Sequence, residues 1–417
     1  MFPTLRHVIR PVISGGFFIS LVLSTAVCAE GTSPAVPVAE SVQAQSFEQW
    51  LTEFKSEART KGISDKTLEE SFRGVQPIPQ IIEYDRRQPE FTRTFWSYLD
   101  RAVDPTRIKK AQELEQKHRV LLDQISQKYG VQKRFLLAFW GLESNFGEHT
   151  GGFSVIAANA TLAYDTRRSE FFRTQLLEAL KIVQAGHISA DRMTGSWAGA
   201  MGHLQFIPST YTRYAVDENG DGRQDIWQSL PDVFGSAANY LGQIGWTDKY
   251  TWGREVQLPS DFNWDLAGLE TNLPLAEWQI QGVRSIDGTN LPDAMIEASL
   301  ILPAGHKGPA FLVYSNYRKI LNWNRSILYA IAVGHLSDRI AGAGPLQTVR
   351  QQDERALHRS EVEEIQSLLA KLGFDVGEPD GIVGQKTREG IRAYQKKVGL
   401  PGDGYPDEEL LNKLRAS

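Results

Sequence analysis

The stretch KRFLLAFWGLESNFG, residues 133–147, decides how the rest of the sequence is interpreted. Leu136, Phe139 and Trp140 precede Glu143 by seven, four and three residues, so a helix would place this carboxyl group on an apolar face near its end. Burial without a cationic neighbour raises the pKa of a carboxyl group, which can then act as a general acid near neutral pH. An isolated glutamate at this spacing can also be a helix-end residue that accepts hydrogen bonds from the following turn.

A second stretch, SWAGAMGHLQFIPST at residues 196–210, carries glycines and an amide. Gly199 and Gly202 let the backbone approach a ligand or a neighbouring helix closely. Gln205 can both donate and accept hydrogen bonds, and Pro208 is typical of the first turn of a helix. The two stretches together indicate an enzyme site that works with a single carboxyl group.

As they stand, GLESNFG and SWAGAMGHLQFIPST resemble motifs of the lytic transglycosylases of the membrane-bound transglycosylase B family. The resemblance covers residues 46–340 and implies a mainly α (α+β) fold, with a lysozyme-like helical catalytic domain and a small inserted β-sheet. It implies a carbon–oxygen lyase that cleaves the β-1,4 bond between N-acetylmuramic acid and N-acetylglucosamine in peptidoglycan. Glu143 would be the single general acid/base, and the product would carry a 1,6-anhydro end.

The resemblance also implies a set of substrate-binding residues. Ser196 and Gln205 would bind the sugar amides, and the others would line the cleft or flank the acid. Trp323 stands where a further family aromatic is expected, so a hydroxyl contact is lost there and a stacking surface is gained. For each tyrosine, core packing with a satisfied hydroxyl is an equally good interpretation. The full set is Ser196, Met201, Gln205, Phe206, Tyr240, Tyr317, Trp323 and Tyr329.

Two other classes of function stay open. An ordinary glycosidase needs two carboxylates flanking the scissile bond, and neither motif supplies a second one. Glu148 follows closely, but it lies beyond the helix-breaking Gly147, so its direction does not follow from the sequence. A hydrolytic muramidase would take its second carboxylate from elsewhere in the fold. An inactive cell-wall-binding scaffold is the other alternative.

Residues 217–228, DENGDGRQDIWQ, have the spacing of a calcium loop, with Gly222 at the sharp turn. Gln228 replaces the usual closing glutamate, and the resemblance allows a later acid to take that part. The expected ligands of a structural Ca²⁺ are Asp217, Asn219, Asp221, the carbonyl of Arg223, Asp225 and Asp232. An Asx/Gly turn without an ion is the alternative. No cofactor is expected for the chemistry itself.

Residues 360–417 form a separate small unit in the sequence. Gly373 stops a first helix, Asp380 and Gly381 mark a turn, and Thr387 starts a second helix. The segments IQSLLAKLGF, PDGIVGQKT and AYQKKVGL resemble the three-helix peptidoglycan-binding domain found on many cell-wall enzymes. A polar linker at residues 341–359 favours an independent binding domain over a helical hairpin that only stabilises the enzyme.

Periodicity predicts the remaining elements. The run at 107–130 is amphipathic and helical, and the segments 297–305 and 309–317 are typical of short strands. A last helix of the enzyme is predicted at 325–340.

The N-terminus indicates export. Residues 1–29 have a basic start, an apolar stretch and a small-x-small end, which is typical of a signal peptide, and residues 30–45 are a Pro/Ser/Ala tether. Cleavage after Ala29 would remove Cys28, the only cysteine, whereas a lipoprotein signal would acylate it. A periplasmic monomer without a transmembrane span is expected.

The net charge and the composition limit which binding partners are expected. The net charge of −5 and the lack of a basic stripe exclude nucleic acid as the expected partner. Peptidoglycan glycan strands are the expected partner, with other cell-wall enzymes as further candidates.

Overall fold

The computed structural model describes residues 45–87, 93–350 and 355–417. The predicted signal peptide with Cys28, and the predicted tether up to residue 44, lie outside these residues. None of the helices within the described ranges is long and apolar enough to cross a membrane.

Thirteen described helices make up the helical body. They are α1 (Phe47–Thr60), α2 (Asp65–Ser71), α3 (Pro79–Arg87), α4 (Phe95–Ala102), α5 (Pro105–Lys117), α6 (Arg119–Tyr129), α7 (Lys133–Ser144), α8 (Val155–Tyr164), α9 (Ser169–Gln184), α10 (Pro208–Tyr214), α11 (Leu230–Gln243), α13 (Ser315–Trp323) and α14 (Ile327–Ile340). The short strands β1 (Phe153–Ser154) and β2 (Thr194–Gly195) pair antiparallel within it.

The core of the helical body is built around α7 and α14. On α7, every side chain from Phe135 to Trp140 is buried, and on α14 the residues from Tyr329 to Ser337 are buried. A helix that is apolar on most of its faces must lie inside the protein. Because α7 and α14 pack against each other, the end of α7 that carries Glu143 lies close to the start of α14.

An inserted sheet domain, residues 253–313, interrupts the helical body. Its elements are β3 (Gly253–Gln257), a short 3-10 helix (Trp264–Leu266), β4 (Leu273–Pro274), α12 (Leu275–Ile280), β5 (Arg284–Ser285), β6 (Glu297–Ile301) and β7 (Ala310–Val313). The strands pair antiparallel in the order β4-β6-β7-β3-β5. Leu300 and Leu312 face each other in the ladder and help form a core distinct from that of the helical body.

The C-terminal unit is the helical bundle of α15 (Arg359–Lys371), α16 (Gln385–Lys397) and α17 (Glu408–Arg415). Its own core includes Ile365, Ile391 and Leu411, each fully buried. The predicted fold class, a lysozyme-like helical body with an inserted sheet and a separate three-helix unit, is therefore confirmed.

The C-terminal unit also contacts the inserted sheet domain. Asp403 is buried and accepts hydrogen bonds from both the backbone N–H and the Nδ1 of His306, at 2.8 and 2.6 Å. Lys307 forms an ion pair with Glu409 at 2.8 Å. Within the predicted linker, the backbone amides of Gln347 and Thr348 donate to Glu255 on β3. The described part of the linker thus lies against the rest of the protein.

Several predicted boundaries were wrong. The run at 107–130 forms two helices, because the backbone turns at His118, whose φ of −109° and ψ of 21° are not helical. The predicted strand at 309–317 ends at Val313, and Ser315 begins a helix. The predicted helix at 325–340 begins at Ile327 after the Ser326 cap.

The second helix of the C-terminal unit also begins earlier than predicted. It starts at Gln385 after Gly384, not at Thr387. Thr387 is buried inside the first turn, where its hydroxyl accepts a hydrogen bond from Gln366.

Candidate active site

Glu143 lies in the last turn of α7, where the backbone changes direction abruptly. Asn145 ends the helix in the left-handed conformation with φ of 50°, and Phe146 follows with φ of 63°. Asparagine tolerates this region better than most residues, and glycine at 147 continues the turn without strain. The sequence therefore stops the helix directly after the acid and leaves Glu143 half-buried at its end.

Ser144 and His203 connect the two motifs. The Ser144 hydroxyl accepts from the Gly147 amide at 3.0 Å and donates to the His203 carbonyl at 2.8 Å. The indole N–H of Trp140 donates to Nδ1 of His203 at 3.0 Å, and the two rings stack. The two motifs are thus held together by buried polar contacts.

The second motif forms a tight loop. Met201 and Phe206 exchange two backbone hydrogen bonds, and the Ser196 hydroxyl accepts the amides of Ala198 and Ala200. Gly199 has φ of 78°, and a side chain there would overlap Asn159. A glycine is therefore required at this close approach.

Gln205, in the same loop, has a strained backbone conformation with φ of 49°. Its side-chain amide donates to the carbonyls of Thr150 and Gly202 at 3.1 and 2.9 Å. Among the described residues, Asn145, Phe146 and Gln205 are the non-glycine residues with positive φ, so this strain is confined to the two motifs. Strain of this kind is typical of functional sites.

Two neutral donors hold the same oxygen of Glu143. The indole N–H of Trp323 donates to Oε1 at 2.8 Å, and the Tyr329 hydroxyl donates to Oε1 as well. Trp323 ends α13 and Tyr329 lies in the first turn of α14, so the loop between these helices brings both donors to the acid. Burial and the nearby Glu143 carboxylate raise the pKa of the Tyr329 hydroxyl well above its ordinary value, which keeps it a donor.

Aromatic rings line the space around these donors. Trp323 stacks on Phe139 with ring centroids 4.4 Å apart, and the rings of Phe206 and Tyr240 lie 5.2 and 5.0 Å from its own. Burial raises the pKa of Tyr240. Tyr98 on α4 lies close enough to Tyr329 to affect its titration.

The structure brings most of the predicted substrate-binding residues together, but not all of them. Trp323 and Tyr329 contact Glu143, Phe206 and Tyr240 pack on Trp323, and Ser196 and Gln205 lie on the adjoining loop. Met201 is fully buried beneath that loop. Tyr317 is also fully buried and packs against Trp252 rather than beside the acid, because α13 turns this side chain into the core. The interpretation of Tyr317 as a cleft residue therefore does not fit its position.

Glu148 points away from this cluster. It is exposed and forms an ion pair with Lys110 at 2.6 Å. The hydrogen bond from Lys110 lowers the pKa of Glu148. A carboxylate paired with a lysine on the surface does not supply a second acid beside Glu143.

The predicted calcium loop is ordered by its own backbone. Asp217 accepts the amides of Gly220, Asp221 and Gly222, and Asn219 and Asp221 each accept the amide two residues further on, which is the pattern of an Asx turn. Within the described ranges, no three His, Cys, Asp or Glu side chains are grouped so that they could hold a metal ion.

Asp232, the predicted closing ligand, is fully buried and accepts three backbone amides of the loop, from Glu218, Asn219 and Asp225. Burial raises the pKa of this carboxyl group. Asp232 thus stabilises the loop backbone itself. Calcium binding at this loop stays a prediction.

Sequence reasoning missed three residues of the site. Ser144 and His203 lie inside the quoted motifs, but their positions in the sequence match no pattern of catalytic or metal-binding residues. Tyr98 lies in a stretch whose aromatic residues are as typical of a core as of a site. The signal that could have revealed Ser144 is a polar residue at a position that the apolar spacing predicts to be buried.

A family model of the Transglycosylase SLT domain matches residues 46–338. The chain therefore belongs to the transglycosylase SLT domain family. A model of a peptidoglycan binding domain matches residues 358–414, which contain the three helices of the C-terminal unit. Both resemblances stated from the sequence motifs are confirmed.

Individual relatives agree with this assignment. Membrane-bound lytic murein transglycosylase B of Escherichia coli (strain K12) is 29% identical over 258 residues, which are 58% of this chain and 66% of that protein. The crystal structure of SltB3 from Pseudomonas aeruginosa in complex with NAG-anhNAM-pentapeptide has a TM-score of 0.87 and 48% identity, covering 89% of this chain and 100% of that one. The lytic transglycosylase Slt35 of Escherichia coli in complex with calcium has a TM-score of 0.61 and 25% identity, covering 70% of this chain and 92% of that one.

Proposed function

We propose that this protein is a lytic transglycosylase that cleaves the β-1,4 bond between N-acetylmuramic acid and N-acetylglucosamine in peptidoglycan. The observation that carries the proposal is the position of Glu143 among aromatic side chains, where Trp323 and Tyr329 donate to one of its oxygens without bringing a positive charge. Neutral donors orient a carboxyl group and leave it able to take up a proton. A general acid requires both properties.

The proposed reaction uses Glu143 twice. The protonated carboxyl gives its proton to the glycosidic oxygen, and the bond from that oxygen to C1 of the muramic sugar breaks. The sugar passes through an oxocarbenium-like state that its own acetamido group assists. The Glu143 carboxylate then removes the proton of the C6 hydroxyl, whose oxygen bonds to C1 and gives the 1,6-anhydro end. Atoms and charge balance without water.

The loop of the second motif would hold the substrate. The Ser196 hydroxyl, which accepts two backbone amides, still has a hydrogen to donate to a sugar amide carbonyl. Gln205 has its amide nitrogen fixed by two carbonyls, so its orientation is set before substrate binds. Phe206, Tyr240 and Trp323 would supply apolar faces for the sugar rings.

The C-terminal unit would bind the cell wall and raise the local concentration of glycan at the cleft. Its membership of a peptidoglycan binding domain family supports this role. Export to the periplasm would bring both parts to this polymer.

Mass spectrometry of the products released from purified peptidoglycan sacculi tests the proposal. The parent enzyme should release muropeptides that are one water lighter than hydrolytic products. Glu143→Gln keeps the size of the side chain but removes its acid, so it should lower the rate by about 10²–10⁴. Sacculus pull-down and the melting temperature should be unchanged.

Three outcomes would contradict the proposal. Reducing ends in the products would mean a muramidase. Parental activity in Glu143→Gln would mean that another group is the acid. Binding to sacculi without any released product would leave a wall-binding scaffold.

A further inference from the structure

We infer that Trp323 is a positioning residue, whose indole N–H fixes which oxygen of Glu143 carries the catalytic proton. The inference rests on the proposed function, because it concerns how the proposed acid is held. Trp323 itself need not touch the reacting atoms to act in this way.

The first step concerns the chemistry of the donor. An indole N–H can donate a hydrogen bond but cannot accept one, whereas a tyrosine hydroxyl can do both. Oε1 of Glu143 lies 2.8 Å from this N–H. A proton on Oε1 would compete with the indole hydrogen for the same space, so the protonated form carries its proton on Oε2. Tyr329 alone could not make this distinction, because its hydroxyl can turn and accept.

The second step concerns what holds the indole in place. Phe139 lies one turn before Glu143 on α7, and its ring stacks on Trp323 at 4.4 Å with an interplanar angle of 28°. Phe206 and Tyr240 pack on the indole from other elements. The same helix thus supplies both the acid and the surface that orients its donor, so the two move together.

The third step concerns how the hydrogen bond from Trp323 affects the pKa of Glu143. A hydrogen bond to the charged form of a carboxyl group lowers its pKa, so removal of this donor should raise the pKa of the acid. One hydrogen bond to a charged group corresponds to a shift of about one pH unit. A merely structural tryptophan would change stability and leave the pH profile where it is.

A second indole–carboxylate pair provides a matched control. The indole N–H of Trp252 donates to Oδ2 of Asp338 at 2.8 Å, the same length as the bond in the site. Trp252 is buried in the core, and Asp338 also pairs with Arg134 and Arg254. Replacing Trp252 removes the same chemical group at a position outside the cleft.

The experiment compares Trp323→Phe, Trp323→Tyr and Trp252→Phe with the parent and with Glu143→Gln. The readout is the pH dependence of kcat/KM on soluble glycan fragments. Trp323→Phe keeps a ring to stack on Phe139 but has no donor. Its kcat should fall about 10-fold to 100-fold with little change in KM, and the loss of activity at high pH should move upward by about one pH unit. Trp323→Tyr restores a donor whose hydroxyl can also accept, so it should return the pH profile to the parental position but recover only part of the lost kcat.

Each other outcome overturns a distinct claim. If Glu143→Gln is as active as the parent, the proposed acid is wrong and this inference falls with it. If Glu143→Gln is inactive but Trp323→Phe keeps the parental pH profile, the proposed function stands and the role of Trp323 is wrong. That role is also wrong if Trp252→Phe shifts the profile equally, if Trp323→Tyr keeps the shifted profile of Trp323→Phe, or if Trp323→Tyr has the full parental kcat. Should Trp323→Phe fail to fold, Trp323→Tyr decides: the parental pH profile with a reduced kcat supports the role, and the full parental kcat overturns it.

Discussion

Two carboxylates in this protein accept an indole N–H at the same distance, yet their surroundings differ. Glu143 receives Trp323 and Tyr329, which are both neutral, on one oxygen. Asp338 receives Trp252 and also faces the guanidinium groups of Arg134 and Arg254 at 3.3 Å. The same bond therefore serves two purposes. Arg134 and Arg254 make Asp338 part of a structural ion-pair cluster, whereas Trp323 and Tyr329 orient Glu143 without adding a positive charge of their own.

The largest effect on stability at neutral pH is expected when the cation-paired carboxylate of Asp338 is removed. Asp338→Asn keeps the volume of the side chain but leaves the partly buried Arg134 without its counter-charge. The free energy of unfolding should fall by about 3 kcal/mol, since removal of one partner from a buried pair has costs of this order. Denaturant unfolding measures this loss.

Specific activity of the folded Asp338→Asn protein should match that of the parent. If Asp338→Asn were inactive while fully folded, Asp338 would have a role in the reaction and not only in stability.

A pH effect on stability is expected from His335, which lies on α14 between Tyr329 and Asp338. Burial, aided by Arg339, lowers the pKa of His335 from 6.5 to about 4. The unfolded chain therefore binds a proton below pH 6.5 that the folded protein binds only below about pH 4. Stability contributed by the neutral histidine is lost as the pH falls through this window, by about 3 kcal/mol in total.

His335→Gln does not titrate and should unfold with a weaker dependence on pH between 6.5 and 4. Thermal melts of parent and variant across this range measure the difference. Parallel curves would contradict the assignment. The variant also helps to interpret the pH profile of activity. A loss of activity at low pH that is caused by unfolding should change in His335→Gln, whereas one caused by protonation of Glu143 should not.

The smallest effect is expected at Glu148, the carboxylate nearest to Glu143 in sequence outside the helix. Glu148→Gln removes an exposed ion pair with Lys110, and exposed pairs contribute little to stability. Activity on sacculi and the melting temperature should both stay at the parental level. A loss of activity comparable to that of Glu143→Gln would show that a second carboxylate takes part in the reaction.

Short-range patterns in the sequence predicted several of the helices. The apolar spacing before Glu143 predicted a helix that ends at the acid, and α7 ends at Ser144. Pro208 predicted the start of α10, and the run before Gly373 predicted α15. Each of these depends on residues within a few turns of one another, which periodicity can detect.

Contacts between distant parts of the chain could not be predicted in the same way. The bond from Trp323 to Glu143 joins residues 180 positions apart, and only the family resemblance pointed to that region. The burial of Tyr317 depends on how α13 packs, and the role of Asp232 depends on amides that the loop turns inward. Spacing along the chain contains no information about such packing.

The left-handed residues in the two motifs have a consequence for engineering. Gln205 and Asn145 occupy a backbone conformation that glycine adopts without steric strain and that other residues adopt at roughly 1 kcal/mol, with a smaller cost for asparagine. A screen for heat-tolerant variants would select glycine at these positions early. Gln205→Gly would give up the amide fixed beside the cleft, and Asn145→Gly would loosen the turn that follows Glu143. Backbone strain in the two motifs thus lowers the stability of the protein, and selection for stability alone would remove this cost together with the two side chains.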